Sequence, residues 1–121
     1  MARDDKWYCL EALESTEENW ISAKLRVPET SLWFSGHFPG NPVLPGIAQL
    51  FLVLDVIEKA TGKPLVLQKL HRTKYRRIIR PAEVIDLYAG PVDPDETVWR
   101  FELAVNDQTA CRGRLQAEMR Q

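Results

Sequence analysis

Gly36-His37-Phe38-Pro39-Gly40-Asn41-Pro42-Val43-Leu44-Pro45-Gly46 runs without a break into Ile47-Ala48-Gln49-Leu50-Phe51-Leu52-Val53-Leu54-Asp55-Val56-Ile57. The first part holds three prolines, three glycines and one histidine. Proline removes backbone donors and glycine loosens the chain, so this part is neither helix nor central strand. It reads as a fixed, irregular loop. The second part has only Gln49 and Asp55 as polar residues between Ile47 and Ile57. A helix apolar on nearly all sides is buried on nearly all sides. Pro45 suits its start, and Gly62 with Pro64 marks its end, which predicts a helix over 46–60 about 22 Å long. A histidine held in a loop at a helix N-terminus is a plausible place for chemistry.

Outward from that helix the chain alternates. Trp7 to Leu13 reads as a first strand and Asn19 to Val27 as a second, joined by the charged link Glu14 to Glu18. In the second, Ile21, Ala23, Leu25 and Val27 alternate with Trp20, Ser22, Lys24 and Arg26, the period of a half-wet strand. After the helix, strands are predicted from Leu65 through the basic run to Ile79, from Val84 to Ala89, from Thr97 to Val105 and from Thr109 to Met119. Pro81, Gly90-Pro91, Asp93-Pro94-Asp95 and Asn106-Asp107 punctuate them. The expectation is α+β: an antiparallel sheet wrapped around one long buried helix. A sheet of this size covers one side of that helix. The other side is expected to meet a second subunit, giving a homodimer or an assembly of dimers.

The bulk numbers set limits. The 121 residues make one domain, 1–121. The 16 basic residues nearly balance the 17 acidic ones, so the charge advertises neither nucleic acid nor membrane as partner. Cys9 and Cys111 lack any metal-ligand spacing and read as reduced, buried thiols. The charged start has no apolar segment after it, so no signal peptide is visible, and no stretch reaches the ~20 apolar residues of a membrane span. The expected location is the cytoplasm, and neither a metal nor a cofactor is expected.

The loop resembles the active-site signature His-Phe-Pro-Gly-x-Pro-Val-x-Pro-Gly of the 3-hydroxyacyl-acyl-carrier-protein dehydratases, which have the hotdog fold. Gly36 to Gly46 matches it without a gap. Lys74-Tyr75-Arg76-Arg77-Ile78-Ile79-Arg80-Pro81 is similar to that family's Lys-Phe-Arg-Arg-x-x-x-Pro strand, and Trp99-Arg100-Phe101 fits a later strand more loosely. Val43 to Leu50 is similar to the Pro-Gly-Val-x-Gln-Leu form of the dehydratase-like proteins of aryl-polyene gene clusters.

The resemblance implies a role for each matching residue. His37 would be the base that takes the α-proton of a 3-hydroxyacyl thioester carried on acyl carrier protein or coenzyme A. The Val43 carbonyl would orient the imidazole. The Gly46 N–H would hold the thioester oxygen. Apart from these implied roles, Val43, Phe38, Gln49 and Phe51 are candidate substrate contacts. The resemblance also implies a strained, cis-like peptide at His37-Phe38. An unperturbed histidine titrates near ~6.5, poised for proton transfer at neutral pH. A helix N-terminus offers free N–H groups to a developing enolate.

One position departs from the family. The carboxyl that protonates the leaving hydroxyl normally lies fourteen residues after the histidine, and that position is Phe51. Asp55, one turn further on, is the candidate replacement; burial among apolar neighbours would raise its pKa, as suits a general acid. The competing role for Asp55 is a structural polar pair. Gln49 either bonds the loop or ligand or faces a strand. His71 reads as a surface residue. Lys74, Arg76, Arg77 and Arg80 are candidates for docking an acidic carrier or its phosphate, against the alternative of a solvated sheet edge. The run lacks stacking aromatics beyond Tyr75, which argues against nucleic acid. Trp33-Phe34 could line an acyl tunnel. Three functions follow: a dehydratase, a hotdog thioesterase in which water attacks the same carbonyl, and a non-catalytic acyl-binding or partner subunit.

Overall fold

The computed structural model describes residues 7–34 and 40–120. Its elements in chain order are β1 (Cys9–Ser15), β2 (Ile21–Arg26), a 3-10 turn (Leu32–Phe34), α1 (Gly46–Thr61), β3 (Leu65–Tyr75), β4 (Ile85–Pro91), β5 (Val98–Val105) and β6 (Gln108–Met119). The strands form one sheet in the order β1-β2-β4-β5-β6-β3, with antiparallel pairing throughout. This is the expected α+β arrangement. After α1 the chain lands on the far edge of the sheet and then returns to the middle.

Alternation decides which face is inner. Along β5, Trp99, Phe101 and Leu103 are buried while Arg100 is exposed. Ile21, Ala23 and Leu25 of β2 and Ile85 and Leu87 of β4 join them in one core with Leu52, Val53, Val56 and Ile57 of α1. Each fully buried aliphatic or aromatic side chain contributes roughly 1.5–3 kcal/mol relative to exposure.

The helix ends are set as the sequence indicates. Pro45 at φ −61° occupies the N-cap, and Gly62 at φ 74° closes the C-terminus by donating its N–H to the Glu58 carbonyl at 2.8 Å. The β5–β6 turn uses Asn106 and Asp107 at φ 50° and 64°. Two left-handed residues give the twist a tight hairpin requires.

Several expectations are corrected. The first strand runs from Cys9 to Ser15, because Trp7 and Tyr8 pack on the core ahead of it without joining the ladder. β3 stops at Tyr75 and does not reach Ile79; the N–H groups of Arg76 and Arg77 both turn to the Ala110 carbonyl. As expected for one chain, the sheet leaves one side of the helix uncovered: Ile47 and Phe51 are exposed and Leu54 half-buried along one face. Cys111 is buried, which pushes its thiol up to about 12, but Cys9 is exposed. No helix among the described residues is long and apolar enough to cross a membrane.

Arg77 is a structural residue as well as a member of the basic run. Its guanidinium reaches both Glu83 oxygens at 3.3 and 3.0 Å and Gln108 at 3.0 Å. Hydrogen bonding by Arg77 holds the Glu83 carboxyl below its usual value of 4.5. A depressed carboxyl stabilises the fold above its unfolded pKa, and that contribution is lost as pH falls through the folded value. Glu83→Gln is therefore expected to flatten the acid limb of the melting-temperature profile, recorded from about pH 6 to 3, and to leave the neutral region's slope unchanged.

Candidate active site at the N-terminus of the central helix

Leu44 donates its backbone N–H to the Ile79 carbonyl at 2.7 Å. This bond pins the segment before α1 to the chain that follows β3. It sets Val43, Gly46 and Gln49 beside Tyr75, Arg76 and Arg77 around a groove of about 480 Å³. Ala48 and Gln49 both donate to the Pro45 carbonyl. The N–H groups of Gly46 and Ile47 have no acceptor among the described residues, and no side chain caps them. They are the free donors that a helix start presents.

Tyr75 covers this end. A Cβ built on Gly46 would lie 2.7 Å from the Tyr75 ring and 2.9 Å from its hydroxyl oxygen. Glycine at 46 thus permits close approach to the helix N-terminus. Tyr75 is 50% exposed. Partial burial, with a smaller contribution from Cys111, holds its phenol above the ordinary tyrosine value, so it is protonated at neutral pH. The sequence singled Tyr75 out only as a lone aromatic; the signal for more was its hydroxyl, at a position where the similar motif has phenylalanine. Gly46→Ala is expected to lower turnover about tenfold or more by pushing into the donor site, while stability changes by less than ~1 kcal/mol. Tyr75→Ala in the same chain makes room and should recover part of the loss, read from steady-state rates.

Gln49 is buried and donates its amide to the Leu44 carbonyl at 3.3 Å, bonding the loop. Its Oε1 has no partner among the described residues. Phe51 lies in an aromatic row: its ring is 6.1 Å from that of Trp33, which is 5.9 Å from that of Trp7. Phe34 belongs to the core. The expected acid position is therefore filled by hydrocarbon, 43% exposed.

Asp55 is 6% exposed. The Tyr8 hydroxyl donates to its carboxylate, and the Lys59 ammonium lies 3.9 Å away. One helical turn thus separates an exposed Phe51 from a buried, paired Asp55. Tyr8 was not foreseen as that partner, since nothing local in the sequence links it to the helix.

His37 and Phe38, with their peptide bond, lie outside the described residues. Val43 lines the groove with Arg76 and Arg77, while Arg80 is exposed. Lys74 is exposed on β3 and lines a different groove. The four basic candidates therefore do not form one cluster. His71 is half-buried. Among the described residues no three potential metal ligands cluster.

A family model described as ApeI-like, ApeI dehydratase, matches residues 13–114. The chain belongs to the ApeI-like dehydratase family. The 3-hydroxyacyl-(acyl-carrier-protein) dehydratase FabZ of Lactobacillus helveticus is 33% identical over 93 residues, covering 69% of this chain and 62% of that protein. FabZ of Pediococcus pentosaceus is 32% identical over 105 residues, covering 78% and 70%. The match thus spans about three fifths of the length of the first of these relatives. Among solved structures, the dehydratase heterocomplex ApeI:P from Xenorhabdus doucetiae superposes with a TM-score of 0.77 at 26% identity, over 92% of this chain and 96% of that one. A hypothetical thioesterase from Streptococcus pneumoniae, solved with coenzyme A, shares the hotdog fold with a TM-score of 0.67 at 14% identity, over 93% and 85%. As an ApeI-like chain the molecule is a hotdog protein, as its helix and its six-stranded antiparallel sheet indicate.

Proposed function

We propose that this ApeI-like chain dehydrates 3-hydroxyacyl thioesters, carried on acyl carrier protein or coenzyme A, to trans-2-enoyl thioesters. The observation that supports the reading is the uncapped N–H of Gly46 at the start of α1, beside a groove that Gly46 itself lines, in a chain whose sequence carries the dehydratase loop motif without a gap. In the reaction His37 takes the α-proton. The carbon–hydrogen pair moves toward the carbonyl, and the enolate oxygen rests on the Gly46 N–H. Collapse of the enolate forms the α,β double bond and expels the β-hydroxyl, which leaves as water after gaining a proton. The Val43 carbonyl orients the imidazole, and Phe38, Gln49 and Phe51 line the acyl path.

The proton donor is the open place in this scheme. Asp55 is the carboxyl on the helix nearest to the position of Phe51, and its bond from Tyr8 is the competing role. Asp55→Asn discriminates. A structural pair predicts a loss of about 1–3 kcal/mol in unfolding free energy with turnover kept. A catalytic carboxyl predicts turnover falling about 10²-fold or more beyond what the loss of folded protein explains.

Of the four basic candidates, Arg76, Arg77 and Arg80 are assigned to steering an acidic carrier toward the groove, whereas Lys74 lines a different one. The exposed stripe of Ile47, Phe51 and Leu54 suits a second copy of the chain, which gives a homodimer. Two unpaired cysteines fit a reducing compartment, and the cytoplasm is the proposed location.

Phe51 favours a second reading, a partner subunit whose acid is supplied by another chain. The similar ApeI:P structure from Xenorhabdus doucetiae is a dehydratase heterocomplex. Incubation with 3-hydroxyacyl and saturated acyl thioesters separates the readings. Water loss supports the dehydratase, release of free thiol would replace it by a thioesterase, and binding without turnover by the partner subunit.

A further inference from the structure

We propose that the outer face of the sheet, opposite α1, holds a second binding site that takes a nucleoside phosphate. The outer residues of β4, β5 and β6 follow from register: Tyr88 faces Glu102, Glu102 faces Arg112, and Arg100 faces Arg114. Lys74 of β3 faces Arg112 in turn. With Arg72 and Trp20 these residues surround a groove of about 620 Å³.

Its walls are built by two close backbone approaches. The Trp20 indole occupies the space that Gly90 leaves by having no side chain; a Cβ there would fall 2.1 Å from the ring. On the other side β3 bulges between His71 and Lys74, with Arg72 at φ 50°, and Thr73 drops to 2.8 Å from a Cβ built on Gly113. The sheet is thereby hollowed between an aromatic wall and a basic one.

The chemistry of the groove is one-sided. Arg72, Lys74, Arg100, Arg112 and Arg114 bring five positive charges, and none is in an ion pair with a described residue. The single acidic lining residue, Glu102, accepts a hydrogen bond from the Thr109 hydroxyl at 2.7 Å. Directly opposed like charges, such as Arg100 and Arg114, weaken a sheet, and an anion between them removes that cost. Arginine forks match phosphate oxygens. Trp20 and Tyr88, each about half exposed, offer ring faces at which a base can stack. The volume falls within the roughly 300–1,000 Å³ of small-ligand sites, which favours a small phosphorylated ligand over the flat face of a protein. The inference does not depend on the dehydratase reading.

The test is calorimetry and tryptophan fluorescence on the full chain, with ATP, coenzyme A, adenosine and tripolyphosphate as probes. ATP, coenzyme A or both should bind and quench fluorescence, the pattern showing whether the phosphates of a free nucleotide or of a coenzyme are preferred. Trp20→Phe should remove most of the quench. Arg100→Gln and Arg114→Gln should each weaken binding about tenfold, with the melting temperature unchanged or raised and the turnover of 3-hydroxyacyl thioesters unaltered. The proposal is overturned if neither ATP nor coenzyme A binds, if binding survives both substitutions, or if tripolyphosphate binds as tightly as ATP. It is also overturned if acyl carrier protein, added as a fifth probe, is the only one whose affinity falls in the variants.

Discussion

Phe51→Asp should raise the rate of 3-hydroxyacyl-thioester dehydration by about 10²-fold, the usual worth of a positioned general acid. The position lies on the first turns of α1, five residues after the Gly46 donor, and is 43% exposed. A carboxylate can enter there without the full cost of burying a charge. Trp33, the ring that Phe51 now touches, leaves an apolar neighbour on one side, which favours the protonated acid. His37→Ala should return the Phe51→Asp variant to background. Steady-state rates, corrected for folded protein, provide the comparison. A Phe51→Asp chain that folds and gains no rate would point instead to a partner subunit. A gain that survives His37→Ala would remove the histidine from the mechanism.

Trp99→Ala should cost about 3–5 kcal/mol of unfolding free energy. Trp99 is among the largest fully buried side chains and packs between the sheet and the rest of the core. Its indole N–H also donates to the Glu96 carbonyl at 3.0 Å, holding the β4–β5 turn against the strand that follows. Removing the ring leaves a cavity and frees that turn together. Against the ~5–15 kcal/mol total of an ordinary domain, the loss corresponds to a melting temperature lower by roughly 10–20 °C. Leu32→Ala, at an exposed position, is the control and should stay within about 0.5 kcal/mol. Denaturant unfolding with an unchanged m-value would identify the effect as one on stability.

The helix and its neighbours were legible because their signals are local. Pro45 and Gly62 mark the ends of α1 by their own backbone restrictions, and the alternation of Ile21, Ala23 and Leu25 needs no partner to be seen. What was hidden depends on pairs distant in sequence. Asp55 is bound by Tyr8, 47 residues away, and no pattern near either residue announces it. Tyr75 meets Gly46 where Leu44 is tied to Ile79, a contact between segments about thirty residues apart. The end of β3 was misplaced for the same kind of reason: Ile78 and Ile79 look like strand, but Arg76 and Arg77 spend their N–H groups on Ala110. The loop itself made the family readable, and the family in turn exposed Phe51 as the departure.

The placement of β3 has a consequence for how the chain comes together. Its neighbour in the sheet is β6, and its other edge carries no described strand. In chain order β3 precedes β4, β5 and β6, and its described neighbour β6 comes last, so β3 has no native strand to pair with until β6 has been made. Its exposed Val66 and Leu70 are apolar, while Lys69, Arg72 and Lys74 are charges of the kind that discourage an idle edge from joining another molecule. The basic run thus has a second occupation, as a guard on the nascent chain, which predicts that charge-neutral replacements along β3 would harm yield before they harm the folded protein.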